Sequence, residues 1–152
     1  MHFSAALTTT FLFATSTFAI PQAIRTSPPK SMMANVPEWT LESMKRVCGP
    51  QDLECRWSFH INTHLPETQP THCEYMVKGA PASTTNGAPS VCGGFNITSG
   101  FSDEFGAEKG FTVLSVTDFQ KRLVVWAGYT DQQLADGHIV QPDQSYLPTS
   151  LP

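Results

Sequence analysis

Basic residues are scarce in this sequence of 152 residues. Nine Lys and Arg stand against thirteen Asp and Glu, so the formal net charge is −4 at pH 7. A nucleic-acid-binding protein needs a basic face to contact phosphates, and this balance argues against that class. Complete disorder is also excluded, because aromatic residues make up 11% of the chain and hydrophobic residues 40%. The length suits a single domain.

A hydrophobic run long enough to cross a membrane is missing as well. The most apolar segment, Ala5–Ile20, is rich in Thr and shorter than the roughly 20 residues that a spanning helix needs. Its centre, Phe11–Ala14, and the residues Thr17 and Ala19 at the −3 and −1 positions are typical of a secretory signal peptide. We therefore predict that residues 1–19 are a signal peptide and that the mature protein is secreted and extracellular.

Motifs for enzyme chemistry are also lacking. The sequence contains no Gly-x-Ser-x-Gly nucleophile elbow, and paired cysteines would leave no thiolate nucleophile. Six carboxylates fall in predicted loops, as on any acidic surface: Asp103, Glu104, Asp118, Asp131, Asp136 and Asp143. We assign no catalytic residue and no cofactor, and we expect a protein that is not an enzyme.

Proline is frequent directly after the predicted signal peptide. Residues 20–38 contain Pro21, Pro28, Pro29 and Pro37, each of which removes a backbone donor and fixes φ. We interpret this segment as a flexible leader, residues 39–147 as a single β domain, and residues 148–152 as a disordered tail.

Alternation of apolar and polar residues predicts strands in the domain. In Arg56–Asn62 and the preceding Cys55, every second residue is apolar, which indicates a strand with one buried face. Trp39–Val47 is interpreted as its partner strand, although its i, i+3 apolar spacing leaves a helix as the alternative. The turn residues Cys48–Pro50 that come next favour the strand.

Two further strands are expected before the most apolar part of the chain. Cys73–Lys78 alternates again, and Val91–Ser99 is predicted to point Phe95 and Ile97 inward if a bulge at Gly93-Gly94 corrects the facing of Cys92.

The segments Phe111–Thr117 and Leu123–Tyr129 form the most apolar hairpin, with apolar residues on both faces, which is typical of a covered or central pair. We expect this hairpin to form the core together with the Trp57 strand and to bury Trp126.

A short helix and a last strand complete the domain. Thr130–Gly137 has a cap residue at its start, Thr130 or Asp131, and at its end a glycine suited to the left-handed position, so it predicts one or two helical turns. His138–Val140 is expected as a short strand. Together these elements predict a mostly β fold, a small antiparallel β-barrel or sandwich with one short helix and two disulfides.

Four cysteines allow three disulfide pairings. Cys48 and Cys55 flank a compact loop between two predicted strands, and Cys73 and Cys92 flank the second predicted hairpin. Antiparallel pairing would bring the sulfur atoms together in both cases, so we favour Cys48–Cys55 and Cys73–Cys92.

A metal site is the competing interpretation of the cysteines. His60, His64 and His72 lie between the second and third of them, and His60-x₃-His64 has the spacing of a zinc-ligand pair. The cysteine spacings nevertheless match no zinc framework, and an oxidising compartment favours disulfides. We therefore predict no structural metal and exposed polar histidines.

The sequon Asn96-Ile97-Thr98 is a candidate N-glycosylation site on an outward-facing strand position.

Five stretches of the sequence have a familiar pattern: Trp39–Cys48, Cys55–Phe59, Gly110–Asp118, Leu123–Asp131 and Val140–Tyr146. In these stretches the sequence resembles a family of small secreted fungal proteins whose best-known kind is the hypersensitive-response-inducing elicitor of plant-pathogenic fungi. The resemblance implies a compact, barrel-like β fold and an extracellular protein that plant cells perceive, with defence and cell death as the response. It brings no catalytic residues.

Two functions are therefore weighed. The first is a non-enzymatic effector or elicitor, expected to act as a monomer on a host plant cell-surface or apoplastic component. The second is a binding module for a small apolar ligand or a cell-wall glycan, with Trp57, Tyr75, Trp126 and Tyr129 as possible lining residues, although aromatic residues on strands are more often core. An exposed aromatic row would favour the module, and burial of all four would favour the effector.

Overall fold

The computed structural model describes residues 34–152, which form two antiparallel β-sheets packed face to face. One sheet has four strands in the order β3-β2-β1-β8: β1 (Trp39–Cys48), β2 (Glu54–Asn62), β3 (Thr71–Lys78) and β8 (Gln144–Tyr146). The other has five in the order β4-β5-β6-β7-β9: β4 (Gly87–Cys92), β5 (Phe95–Ser102), β6 (Phe111–Asp118), β7 (Leu123–Thr130) and β9 (Thr149–Ser150). The sheets do not close into a barrel, so the mostly β prediction is confirmed in its sandwich form. The predicted signal peptide and leader residues 20–33 lie outside the described residues.

The alternation in β2 places its apolar residues between the sheets, as predicted. Cys55, Trp57, Phe59 and Ile61 are all nearly inaccessible to solvent. β1 is a strand and not a helix, but its alternation is interrupted at Ser43, which takes a positive φ of 53° at a bulge opposite β2. The extra residue brings the side chains after it back to the inner face.

Aromatic side chains from both sheets fill the interior. Trp39 of β1 meets Phe95 of β5 edge to face, with ring centroids 5.4 Å apart. Tyr75 of β3 lies within hydrogen-bond distance of Ser99 on β5, so a polar contact also crosses the core. Trp57 is only 2% exposed, and truncating such a residue to Ala costs about 3–5 kcal/mol.

The structure corrects the predicted role of Gly93-Gly94. These residues form a two-residue turn between β4 and β5, in which Cys92 pairs directly with Phe95. Gly93 has a φ of +57°, a conformation that glycine adopts without strain. The single strand Val91–Ser99 with a bulge is therefore wrong, because the glycines reverse the chain; the inward placement of Phe95 and Ile97 is confirmed.

The outer face of the β6–β7 hairpin is buried near the connecting turn, where Val124 is 2% exposed, and open farther along the strands. Leu114, Val116, Val125 and Ala127 face the other sheet and are fully buried. Trp126 points the opposite way and is 54% exposed, so its predicted burial is wrong. In the alternation of β7, Val125 and Ala127 are on the inner face and Trp126 is on the outer face. No described element covers the outer face at Trp126.

The segment after β7 is more irregular than expected. Its start is capped reciprocally: the Thr130 amide donates to Gln133 Oε1 at 2.9 Å and the Gln133 amide donates to Thr130 Oγ1 at 3.2 Å. Turns come next, and the helix is one 3₁₀ turn at Ala135–Gly137, with further single 3₁₀ turns at Ala82–Thr84 and Ala107–Lys109. Gly137 takes the predicted left-handed conformation, with a φ of +67°.

Two predictions near the C-terminus are wrong. His138–Val140 is not a strand; the Val140 amide donates to the Met44 carbonyl at the interrupted part of β1. The tail expected to be disordered contains β9, which pairs with the first residues of β7. The end of the predicted leader is also fixed, because the Ala34 amide donates to the Pro148 carbonyl at 3.0 Å.

Candidate binding surfaces

The four cysteines form two disulfides with different positions in the fold. Cys48–Cys55 joins directly opposed residues of β1 and β2, within one sheet, with Cα atoms 3.9 Å apart. Cys73–Cys92 joins β3 to β4 over a Cα distance of 5.7 Å and therefore links the two sheets. The second link differs from the hairpin expected from the sequence, since β3 and β4 belong to different sheets.

Three of the four candidate lining aromatics do not line an accessible site. Trp57, Tyr75 and Tyr129 are each at most 2% exposed and belong to the packed core. Burial raises the pKa of both tyrosines, so their phenols stay neutral. These side chains fill the space between the sheets in which an apolar ligand would have to fit.

Trp126 instead lies on the outer face of the five-stranded sheet, on β7 beyond the two residues that pair with β9. The residues beside it across β6 and β5 are Ser115 and Thr98, whose side chains are small and polar. The next row toward the far end contains Gly128, Val113 and Gly100, so Val113 is its one side chain above the sheet. The indole therefore stands on a shallow, uncharged surface.

More aromatic surface lies at one end of this face. The rings of Phe105 and Phe111 stack with centroids 6.1 Å apart, and Phe105 is 65% exposed. We call Trp126, its neighbours Ser115 and Thr98, and this phenylalanine pair the outer aromatic face. A single exposed Trp with a flanking Phe pair is typical of a contact surface rather than of an enclosed pocket.

The sequon asparagine faces outward on the same sheet. Asn96 is half-buried, and its Oδ1 atom is buried without a hydrogen-bond partner among the described residues. Its cross-strand neighbour on β6 is Thr117.

Several candidate carboxylates make structural contacts. Asp118, 4% exposed, accepts hydrogen bonds from the amide and the ammonium of Lys121 at 2.9 and 2.8 Å. Burial alone would raise the pKa of Asp118, but the bonds from Lys121 outweigh it and hold the pKa below its ordinary value. Asp143 accepts a bond of 2.7 Å from the Ser43 amide at the bulge of β1.

Asp131 contributes to a contact across the edge of the sandwich. It forms an ion pair with Arg46 at 3.0 Å, and the Arg46 guanidinium lies 5.4 Å from the centre of the Trp57 ring. Arg46 is only 8% exposed, so its charge is shielded by these partners. Asp103, Glu104 and Asp136 are exposed loop residues.

The cysteine region gathers metal-ligand atoms without forming a metal site. Cys48, Asp52 and Cys55 bring theirs within 4.8 Å of one another, but both sulfur atoms belong to the disulfide. Asp52 is used elsewhere, since it accepts hydrogen bonds from the amide and the hydroxyl of Ser83.

The three central histidines are outward-facing on the four-stranded sheet or just beyond it. His60 and His72 are directly opposed on β2 and β3, with ring centroids 4.8 Å apart. His64 comes after β2 and its Nε2 lies 2.6 Å from the Thr40 hydroxyl. The sequence spacing pointed to His60 with His64; strand register brings His72 to His60 instead.

In the described part of the chain, no helix combines the length and the apolar character needed to cross a bilayer.

A small β-sandwich with two disulfides and a filled core defines a class of compact, disulfide-stabilised β proteins. The chain belongs to the Effector TSP1 family, whose profile matches residues 40–151. Over 153 aligned residues it is 46% identical to the "Effector TSP1" protein of Hypocrea virens (strain Gv29-8 / FGSC 10586), and the alignment covers all of both chains. The predicted membership of a fungal effector family is thereby confirmed, and membership of an effector family suggests action on a host.

Proposed function

We propose that this fungal effector is secreted and acts as a monomer in the plant apoplast, where a host cell-surface component perceives its folded surface and defence and cell death result. The observation that carries the proposal is membership of the Effector TSP1 family. Three of the four candidate aromatics are buried in the core, so they form no exposed aromatic row, and Trp126 alone of the four is presented to solvent.

Secretion is supported by the signal-peptide pattern of residues 1–19 and by both disulfides, which persist in oxidising compartments. The two crosslinks also suit a small domain that must stay folded outside the cell.

A non-enzymatic mechanism is supported by the contacts of the polar groups. Asp118, Asp131 and Asp143 are bonded to neighbouring elements, and the two disulfides use all four cysteines. Recognition of a surface requires shape and a few anchor residues, of which Trp is a favoured type. Trp126 is the anchor we assign.

Infiltration of purified protein into leaf tissue tests this proposal. We expect wild-type protein to cause cell death, Trp126→Ala to lose most of the response, and reduced and alkylated protein to lose it entirely. Leu53→Ala is the matched control, because Leu53 is exposed to a similar extent, 53% against 54%, but lies outside the outer aromatic face.

The Trp126→Ala variant must have the circular dichroism spectrum and the melting temperature of the wild type, so that a lost response reflects the lost side chain and not unfolding. We expect both to be unchanged, because the Trp126 side chain is exposed. Asp103→Asn and Glu104→Gln should retain the full response. A carboxylate variant that is inactive yet folded would contradict the non-enzymatic mechanism, and an active Trp126→Ala would remove the assigned anchor.

A second candidate function is favoured by the same tryptophan. An indole on a shallow face between small polar residues and glycines is suited to stack on a sugar ring, so a module that binds a wall glycan fits the outer aromatic face. A small apolar ligand fits less well, since the core aromatics occupy the interior.

Sedimentation with insoluble β-linked wall polysaccharides distinguishes the two functions. Retention that Trp126→Ala abolishes and Leu53→Ala preserves would support the glycan module. Absence of retention together with Trp126-dependent cell death would support the elicitor alone.

A further inference from the structure

The four-stranded sheet carries a pair of histidines on its outer face that the effector function does not use. His60 of β2 and His72 of β3 are register partners, and both side chains point away from the core. His60 is half-buried and His72 is exposed, so solvent reaches the pair.

The distance between the two rings is compatible with a shared metal ion. Zn²⁺ binds an imidazole nitrogen at about 2.0–2.1 Å, which places the centroids of two such rings about 4.5–5.2 Å apart for bond angles between square and tetrahedral. The observed centroid separation is 4.8 Å. The rings are tilted by 49°, so they are not stacked flat on each other.

Carboxylates flank the pair on both sides. Glu42 of β1 is the register partner of His60 on the side away from His72, and Glu74 lies two residues after His72 on the same face of β3. Glu74 is held only by an ion pair with Arg56 at 3.4 Å, in which both side chains are more than half exposed. Such pairs are weak, so the Glu74 carboxylate is free to turn toward a cation.

Glu42 has one oxygen committed and one available. Its Oε1 accepts a hydrogen bond of 2.7 Å from Asn62 Nδ2, two residues beyond His60 on β2. A bound cation would thus meet two imidazoles with carboxylates nearby, the ligand types that Zn²⁺ and related divalent transition metals prefer.

We propose that His60 and His72 form a surface site for a divalent transition metal of the Zn²⁺ type, with Glu74 or water completing the coordination. The ion crosslinks neighbouring strands β2 and β3. Binding only to the folded sheet stabilises the fold by mass action.

Isothermal titration of untagged secreted protein with Zn²⁺ tests the site; an affinity tag is left out because its histidines would bind the ion. We expect one saturable Zn²⁺ per chain in the wild type and a higher melting temperature when Zn²⁺ is present. His60→Gln and His72→Gln should each weaken binding by at least about tenfold, the loss that even outer-shell changes cause.

His64→Gln is the matched control, because His64 is also an outward histidine of this region but is bonded to Thr40. It should bind Zn²⁺ as the wild type does. Absence of saturable binding, an equal loss in His64→Gln, or full binding in both His60→Gln and His72→Gln would overturn the proposal.

A measurement on the wild-type protein keeps the test independent of variant folding. Zn²⁺ should shift the imidazole NMR signals of His60 and His72 and leave those of His64 and His138 in place. Equal shifts at all four rings would show unspecific binding and would reject the site.

Discussion

Two core tyrosines differ in the surroundings of their hydroxyl groups. The Tyr75 hydroxyl donates to the Ala88 carbonyl at 3.1 Å and lies 3.2 Å from Ser99 Oγ. The Tyr129 hydroxyl is buried without a hydrogen-bond partner among the described residues. A buried polar group without a partner loses its bonds to water on folding and gains nothing in return.

The two phenylalanine variants should therefore differ in sign. Tyr75→Phe is expected to lower the free energy of unfolding by about 1 kcal/mol, the value of a typical hydrogen bond, whereas Tyr129→Phe should leave it unchanged or raise it. Urea denaturation of both variants measures the difference. Equal destabilisation by the two substitutions would show that the Tyr129 hydroxyl is satisfied in solution.

The Asp118 carboxyl makes the free energy of unfolding depend on pH in the acidic range. Its pKa in the folded protein lies below the ordinary value, so the unfolded chain binds the proton more tightly. The stabilisation is fully present above the unfolded pKa of about 3.9 and is lost as the pH falls through the folded pKa.

Asp118→Asn should remove that part of the pH dependence. At neutral pH we expect the variant to be less stable by about 1–2 kcal/mol, since a charge-assisted bond to Lys121 is lost. The gap to the wild type should close as the pH falls through the lowered pKa of folded Asp118, because the wild-type carboxyl is then protonated as well. Denaturation curves of both proteins at neutral and at acidic pH measure this gap. A stability difference that persists in acid would contradict the lowered pKa of Asp118.

At the scale of the elements, the smallest strand protects an edge. β9 pairs Thr149 with Val124 and Ser150 with Leu123, and the Leu151 amide donates to the Arg122 carbonyl. Without β9, the start of β7 would be an open strand edge beside buried apolar residues, which is a site for aggregation.

Removal of residues 148–152 should thus be harmful, although the sequence predicted a disordered tail. We expect the truncated protein to melt about 5 °C lower, equivalent to about 1 kcal/mol in a domain of this size, and to aggregate more readily. A thermal scan with light scattering measures both effects. Unchanged melting would mean that β9 contributes little in solution.

Alternation predicted the strands in which one face is buried and the other is open. β2 and β3 follow this rule without interruption, and β6 and β7 follow it over most of their length. It could not separate a bulge from a turn at Gly93-Gly94, because glycine suits both. It also could not give the exposure of Trp126, since a period of two assigns residues to a face without showing whether that face is covered.

The candidate sites, like the fold, could be predicted only in part from the sequence pattern. The cysteine pairing could be inferred because each pair flanks a loop or hairpin predicted from the sequence. The contact between His60 and His72 could not, because it depends on the residue-by-residue pairing of β2 with β3, which the loop between them does not reveal. The two-residue strand β9 is too short and too polar to produce any periodic signal.

At the scale of the whole molecule, the two disulfides are not equivalent. Cys48–Cys55 closes a sequence separation of 7 residues within one sheet, and Cys73–Cys92 closes 19 residues and joins the sheets. In the chain-entropy model these closures stabilise the fold by about 2 and about 3 kcal/mol.

Double alanine variants test whether the two disulfides stabilise the fold to different extents. Replacing Cys73 and Cys92 should cost about 1 kcal/mol more than replacing Cys48 and Cys55, and only the former should speed hydrogen exchange in both sheets. Denaturant midpoints and amide exchange provide the two readouts. Equal costs with exchange confined to β1 and β2 would show that packing alone holds the sheets together.

The bond between Ala34 and Pro148 has a consequence for chain connectivity. It places the beginning and the end of the described chain side by side, so a short linker from residue 152 to residue 34 would close the domain into a ring without crossing either sheet. Fresh ends opened in the exposed turn at Phe119 would give a circular permutant that starts with β7 and ends with β6, while every strand pair and both crosslinks stay possible.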